Sequence, residues 1–489
     1  MLHSLFVGLA LVLPIATQQI QDIWTTSSDQ KTLFQYKNLA NDPINFTSSA
    51  SASASANILV DRKTAYQEMI GFGAALTDSS AKLLNELKSK DSDKYWNLLK
   101  YMFDPTDGAE AAGMTFLRVP LGASDFSDKS YTYDDTTNDQ SLAKFDVDTA
   151  PTYLFDVISD IQSINSVVKV HVCPWSPPGW MKDGGKIGGG KFTSSYTKTY
   201  AQYLLKSLQG FQEKGITAHA ISIQNEPQNS NPTYPTALIP ASYEAKIGSE
   251  LRALMDSNGF KDTIIVAYEH NWDDAGAYPV EVMKDAGDSF AGAAFHCYAG
   301  NVGDQDEFHS AYPNKDIYFT ECTGTFHGNW WSDLKWYLNN IFIGSVNHNS
   351  KNGAMWNLVL DGNGQPLLPG TNSCGGTNPC RGVVTLNSDG SYEPNQEFYA
   401  IAQASKAVIP KDKNGPFGQR IASIVSGSDD LVVTAYETKR SSAQDWLRYS
   451  LVVLNQGDAT SATIEFEDKK AEYKFPTGVT TLWWYAEGN

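Results

Sequence analysis

Eight short apolar runs, each ending in a polar turn marked by Gly or Pro and followed by a stretch of helical character, restrict this chain to very few folds. They cover 69–76, 115–121, 167–175, 218–225, 263–269, 291–298, 316–320 and 353–360. Between them, segments 79–102, 151–166, 196–214, 242–257 and 331–346 are long enough for helices and repeat apolar residues three and four apart, the spacing that gives a helix one buried face. Strands alternating with helices imply parallel βαβ units, and eight units across about 340 residues is the count of a (β/α)8 TIM barrel. An open doubly wound sheet would carry a glycine-rich phosphate loop after its first strand. Gly71-Phe72-Gly73 lacks the third glycine and the helix-opening context, and reads as tight backbone packing.

The barrel is expected to fill 67–409 and to carry a smaller β-sandwich side domain. From 410 to 489, runs 430–436, 446–454, 460–467, 471–475 and 480–485 alternate apolar and polar residues with no helix between them, the period-2 signature of strands. Segment 18–66 holds a Ser/Ala patch at 48–56 and a strand-like 57–61. Chain termini often lie close together, so this N-terminal segment is expected to join the side domain, with helix 396–408 passing between the two domains. Residues 1–17 read as a signal peptide: the apolar run 5–15 spans about 11 residues, short of the ~20 a transmembrane helix needs, and small Ala16 and Thr17 follow. The sequon Asn45-Phe46-Thr47 is consistent with export, so the protein is expected to be secreted.

The 489 residues include five cysteines, an odd number that leaves a thiol unpaired within the chain. Cys374 and Cys380, in a Gly/Asn/Pro-rich loop, are the expected bridge in an oxidising compartment. Cys173, Cys297 and Cys322 lie on apolar runs and read as small buried hydrophobes. Thirty-seven basic residues against 55 acidic give a net charge of -18, which repels a phosphate backbone and an anionic membrane surface alike. Nucleic acid and membrane are therefore not expected partners, a neutral ligand is favoured, and no obligate protein partner is evident.

Active sites of such barrels lie at the C-terminal ends of the strands, so polar residues that close the apolar runs are the candidates. The fourth run ends in Asn225-Glu226-Pro227 and the seventh in Glu321-Cys322. Either glutamate alone reads equally as a helix cap or a loop charge. Two in equivalent places, three units apart around the ring, point to facing carboxyls across the barrel mouth, the pair that glycoside hydrolysis needs. No Gly-x-Ser-x-Gly elbow, His-Glu-x-x-His or Cys-x-x-Cys spacing supports an acyl-transfer or metal alternative, so no metal and no cofactor is expected. Aromatic residues at other strand ends, Trp175, Trp272, Tyr298 and Trp356, suit stacking on a sugar ring; tryptophans there also fit a core role. Asp78 reads as a site residue or as a helix cap, and Arg118 as the partner of a catalytic carboxylate or of a structural one.

Gly71-Phe72-Gly73-Ala74-Ala75-Leu76-Thr77-Asp78, Leu117-Arg118-Val119-Pro120, Pro174-Trp175-Ser176-Pro177-Pro178, Gln224-Asn225-Glu226-Pro227, His296-Cys297-Tyr298 and the Glu321 run, in this order, resemble glycoside hydrolase family 30. That family comprises retaining glycosidases, among them glucosylceramidases, β-1,6-glucanases, xylanases and β-1,6-galactanases. The resemblance implies that Glu226 is the acid/base and Glu321 the nucleophile, and that Asp78, Trp175, Asn225, His296, Tyr298 and Trp356 line the subsite of the cleaved sugar. Cys322 directly after Glu321 departs from the glucosylceramidase pattern. The Trp-Ser-Pro-Pro-Gly-Trp-Met-Lys loop and the acidity look closest to secreted fungal endo-β-1,6-glucanases. A neutral oligo- or polysaccharide is then the substrate; glucosylceramide, xylan or a β-1,6-galactan is the alternative, and a non-catalytic carbohydrate-binding protein on a hydrolase scaffold the rival class. Glu226 is expected to be kept protonated by burial and by the nearby Glu321 charge, with its pKa near roughly 6, and the two carboxyls to lie about 5 Å apart.

Overall fold

The computed structural model describes residues 18–48, 54–374 and 379–488; the expected signal peptide at 1–17 lies outside them. Eight parallel strands, Gly71–Ala75, Phe116–Leu121, Lys169–Pro174, Ala220–Ser222, Ile264–Asn271, Gly292–His296, Asp316–Glu321 and Asn352–Met355, pair in chain order, and the eighth pairs with the first. A parallel bridge between Ile317 and Ser350 joins the seventh to the eighth and closes the ring. Each of the eight apolar runs thus forms one barrel strand, because a parallel strand buried on both faces needs a nearly continuous apolar run. Gly73 and Gly292 allow neighbouring strands to approach closely: a Cβ there would meet the Phe116 and Asp316 carbonyl oxygens, each at 1.8 Å.

The helices follow the capping chemistry. Segment 79–102, expected as one helix, is two, Asp78–Lys90 and Ser92–Phe103, because Asp91 leaves the helical conformation and its side chain accepts from the Lys94 backbone N–H. The amphipathic stretch near 331–346 starts as an α-helix, Trp330–Tyr337, and continues as a π-helix, Leu338–Ser345. Two short helices, Tyr278–Ala286 and Gln305–Ala311, complete the layer; at nine and seven residues they are too short for the apolar spacing to repeat clearly.

The side domain is built from both ends of the chain. Strands Gln19–Ser27, Ala56–Glu68 and the six strands from Gln419 to Ala486 belong to one ten-stranded sheet. Its halves fold over a common core: Phe466 and Trp484 lie on strands five steps apart in the sheet, yet their rings are 5.4 Å apart. Helix Gln396–Val408 is buried along its whole length. Its Phe398 stacks on Tyr101 at 4.5 Å, while the Lys406 carbonyl accepts from the Trp483 indole N–H of the side domain at 2.9 Å.

Candidate active site

The fourth strand ends at Ser222, and the chain then turns sharply enough to place Glu226 at φ 47, in the left-handed region. Such a backbone costs an L-residue of order 1–3 kcal/mol. It is held by hydrogen bonds from the Asn225 N–H to the Pro174 carbonyl and from the Glu226 N–H to the Glu269 carbonyl, at 2.8 and 3.0 Å. Glu321 closes the seventh strand. Glu226 and Glu321 line one cavity of about 340 Å3, together with Asp125, Trp175, Asn225, Tyr298 and Trp356. A larger groove of about 880 Å3 lies beside helix Tyr278–Ala286, but neither of these glutamates reaches it.

Both oxygens of Glu321 are occupied. Arg118 Nη1 donates to Oε2 at 2.5 Å and the Tyr298 hydroxyl to Oε1 at 2.9 Å. Arg118 is fully buried from the second strand, and its Nη2 also donates to Asn225 Oδ1 at 2.7 Å and Glu269 Oε2 at 2.9 Å. Burial works against this guanidinium's charge, and the Glu269 and Glu321 carboxylates outweigh it, so the group stays protonated. Burial, reinforced by the Glu321 charge, pushes the Tyr298 phenol well above its ordinary range. The phenol therefore remains a donor, its ring 44% exposed at the mouth while the hydroxyl reaches inward.

Glu226 sits in the opposite environment. Its Oε1 lies 3.3 Å from His296 Nδ1 and 3.8 Å from His270 Nδ1, and its Oε2 accepts from Asn229 Nδ2 at 2.8 Å. Beneath this pair, buried Glu269 receives His296 Nε2 at 3.3 Å, the Thr320 hydroxyl at 2.6 Å and the Ser222 hydroxyl at 2.5 Å. Burial raises the pKa of Glu269, but Arg118, His171 and His296 outweigh it and hold the carboxyl well below the usual range. His296 is fully buried, which disfavours its charge, yet Glu321, Glu226 and Glu269 around it push it up to about 9. Here the expectation for Glu226 is corrected. Burial alone would raise it, but the charged His296 and the neighbouring His270 hold it below the ordinary glutamate range in the free protein. The shared proton rests on the imidazole.

Residues 69–408 match the glycosyl hydrolase family 30 TIM-barrel domain. The chain belongs to that family. It is 33% identical over 359 residues to an endo-1,6-beta-D-glucanase of Trichoderma harzianum, covering 70% of this chain and 69% of that one. It is 33% identical over 366 residues to an endo-1,6-beta-D-glucanase of Aspergillus fumigatus, with 70% and 71% covered. Against the lysosomal acid glucosylceramidase of Mus musculus the identity is 26% over 401 residues, covering 76% and 72%. The solved structure of an endo-beta1,6-glucanase superposes with a TM-score of 0.82 at 26% identity, covering 95% of this chain and 99% of the other. The protein is a glycoside hydrolase.

Within this family 30 barrel, Trp175, Asn225, Tyr298 and Trp356 line the cavity, and the Trp175 and Trp356 rings stack at 5.0 Å. Asp78 does not reach it. Its carboxylate turns to the Ser127 and Tyr131 hydroxyls at 2.7 and 2.9 Å, buried at the start of the helix that Thr77 caps. His296 is not part of the wall either and lies behind Glu226. Trp272 is core, with its indole N–H on Gln305. Cys297 and Cys322, expected as isolated hydrophobes, form a disulfide; Cys374–Cys380 is bridged as expected and Cys173 is the buried free thiol. The pairing of Cys297 with Cys322 has no spacing signal, since it arises from adjacent strand ends 25 residues apart.

Among the described residues, the cavity wall holds eight beyond the six expected site residues that reach it, Asp125, Asn229 and His270 among them. Asp125 lies on the wall in the loop after the second strand, and burial pushes its carboxyl up to about 7 although Ser373 donates to it at 2.6 Å. Asn229 and His270 flank Glu226. Each follows a strand-end motif by one to four residues, and that offset was the available signal.

Proposed function

We propose that this hydrolase is a secreted, retaining endo-β-1,6-glucanase in which Glu226 is the acid/base and Glu321 the nucleophile. The observation that carries the reading is the contrast between the two carboxyls in one cavity. Glu321 accepts hydrogen bonds on both oxygens, from Arg118 and Tyr298, whereas Glu226 shares a proton with an imidazole. A fixed anion suits attack on an anomeric carbon, and a proton-bearing pair suits donation to a leaving oxygen.

In the first step Glu321 bonds to the anomeric carbon as the glycosidic C–O bond breaks, and the leaving oxygen takes a proton from Glu226. That proton reaches Glu226 from His296 Nδ1–H across 3.3 Å before cleavage, so donation leaves a carboxylate beside a neutral imidazole, and Glu269 keeps the other ring nitrogen oriented. A bound sugar excludes water, which favours the neutral pair over the ion pair and moves the proton onto Glu226 before cleavage. In the second step Glu226 takes a proton from water, which displaces Glu321 and restores the original configuration. Asn225, positioned by Arg118, is oriented to hold a sugar hydroxyl beside the reacting carbon.

Two fungal endo-1,6-beta-D-glucanases at 33% identity support the β-1,6-glucan choice. Among the described residues, Tyr298 is the one strongly exposed large hydrophobic residue that lines the cavity, and a lipid substrate would call for an apolar rim. Secretion is supported by the apolar start of the chain and by two disulfides, which persist in oxidising compartments. No helix among the described residues is long and apolar enough to cross a membrane.

The test compares hydrolysis of β-1,6-glucan, glucosylceramide, xylan and β-1,6-galactan, with the anomer of the first product read by NMR. Preference for another glycan, or an inverted first product, overturns the reading. Roles are separated by leaving group. Glu226→Gln should lose about 10²–10⁴-fold on glucan yet still cleave a dinitrophenyl glycoside, which needs no acid, whereas Glu321→Gln should fail on both.

A further inference from the structure

We infer that Glu226, His270 and His296 form a binding site for a zinc-class divalent transition-metal ion, and that an ion held there switches the hydrolase off. The argument starts from donor geometry. Oε1 of Glu226 lies 3.3 Å from His296 Nδ1 and 3.8 Å from His270 Nδ1, and one ligand atom from each residue lies within 4.8 Å of the others. Ligand atoms at about 2.0–2.2 Å from a tetrahedral zinc stand about 3.4 Å apart. Two edges of the triangle are therefore close to their bound length, and a small rotation of one imidazole closes the third. Among the described residues no other group of His, Cys, Asp and Glu brings three such atoms so close together.

The donor set and its surroundings select the ion. Two imidazoles, His296 giving up its Nδ1 proton as the ion binds, and one carboxylate suit zinc, copper(II) or nickel(II) and are poor for calcium or magnesium, which take all-oxygen shells. His296 Nε2 faces the Glu269 carboxylate at 3.3 Å, and Glu269 is in turn fixed by Arg118, Thr320 and Ser222. This is the carboxylate–histidine support that fixes a ligand's ring orientation and raises its basicity. His270 adds a second, independent observation: its Nδ1 is buried without a hydrogen-bond partner and points toward Glu226. A buried acceptor left unmade costs roughly 1–3 kcal/mol, and a cation at this point would satisfy it. Glu226 and His270 both line the cavity, so the remaining coordination position opens to solvent and substrate.

Such an ion takes the Glu226 oxygen that faces the shared proton, and it occupies the space of the leaving group. Inhibition, unlike binding, rests on the acid role proposed for Glu226. The ion is a switch and not a cofactor, since the displacement needs none.

Zinc chloride alone, titrated calorimetrically into the chelator-treated full-length protein, should bind one ion per chain. His270→Ala should weaken that affinity by at least about tenfold, and His270→Gln, closer in shape, should do the same if the alanine variant folds poorly. His348→Ala, at a half-buried histidine outside the site, should leave zinc affinity unchanged. Glucan hydrolysis should fall in step with zinc occupancy and return on chelation. Zinc affinity unchanged in both His270 variants, or no saturable binding, overturns the site. Binding that depends on His270 but leaves hydrolysis intact confirms the site and overturns the inhibition, and with it the acid role of Glu226.

Discussion

Cys297 and Cys322 are joined by a disulfide that staples the end of the sixth barrel strand to the end of the seventh, so that Tyr298 and Glu321, each one residue away, are held together. The hydrogen bond from the Tyr298 hydroxyl to Glu321 Oε1 spans this staple. A covalent link at that point fixes the separation of two loops that would otherwise rely on side-chain packing.

Removing the staple should therefore act on both stability and rate. The closed loop is 25 residues, for which the chain-entropy model assigns about 3.5 kcal/mol. The Cys297→Ala/Cys322→Ala variant is expected to lose stability of that order in denaturant unfolding and to show a lower kcat. Unchanged values for both would mean that the neighbouring packing already fixes the strand ends.

Tyr298→Phe removes one donor and leaves the ring. Hydrogen bonds to charged groups contribute roughly 1.5–3 kcal/mol, so kcat/KM is expected to fall about 10- to 100-fold, with little change in thermal stability. A variant with full activity would show that Arg118 alone positions Glu321.

Glu269→Gln takes away one of the carboxylates that raise His296. With its partner neutral, the His296 pKa should drop from about 9. The shared proton would then be lost at lower pH, and the alkaline limb of the kcat/KM profile should move toward neutrality. Histidine titration by NMR reads the same shift without turnover. A limb that stays in place would separate His296 from the proton supply.

Stability should be greater near pH 5 than near pH 8.5. Burial raises the carboxyls of Asp78 to about 6, of Asp125 to about 7 and of Glu244 to about 7. The folded protein thus binds more protons there than the unfolded chain, and stability falls as pH climbs from the ordinary carboxyl range to about 7. His296 works in the same direction: its contribution is fully present below the ordinary histidine pKa and is lost as pH rises through about 9. Glu226 and Glu269, both lowered, contribute above the ordinary glutamate pKa and lose that only in strong acid. Melting temperatures across this range check the sign, and a Tm that climbs steadily toward pH 8.5 would contradict it.

Much of the architecture was legible because it follows from short-range patterning. Runs such as 69–76 and 264–268 are apolar on both faces, and a parallel strand wrapped by helices requires that. Asp91, which splits an expected helix, acts through a cap three residues long and was readable in principle. The positions of Glu226 and Glu321 at the ends of their runs are equally local facts.

What each of those residues meets is not local. Arg118 touches Glu321 from 203 positions away and Glu269 from 151, and His296 meets Glu226 across 70. Closure of the ring decides these pairings, and they decide the electrostatics: burial alone would raise Glu226, while the imidazole that the sixth strand delivers lowers it. Asp78 shows the converse, a carboxyl at a promising position that the fold turns toward two hydroxyls and away from the cavity. The amino-acid order by itself determined the number of strands, their direction and which side chains end them, because hydrophobic periodicity acts over a few residues. Only the tertiary structure decided which of those ends face one another and how their charges are shared, because that depends on contacts between segments that chain order leaves far apart.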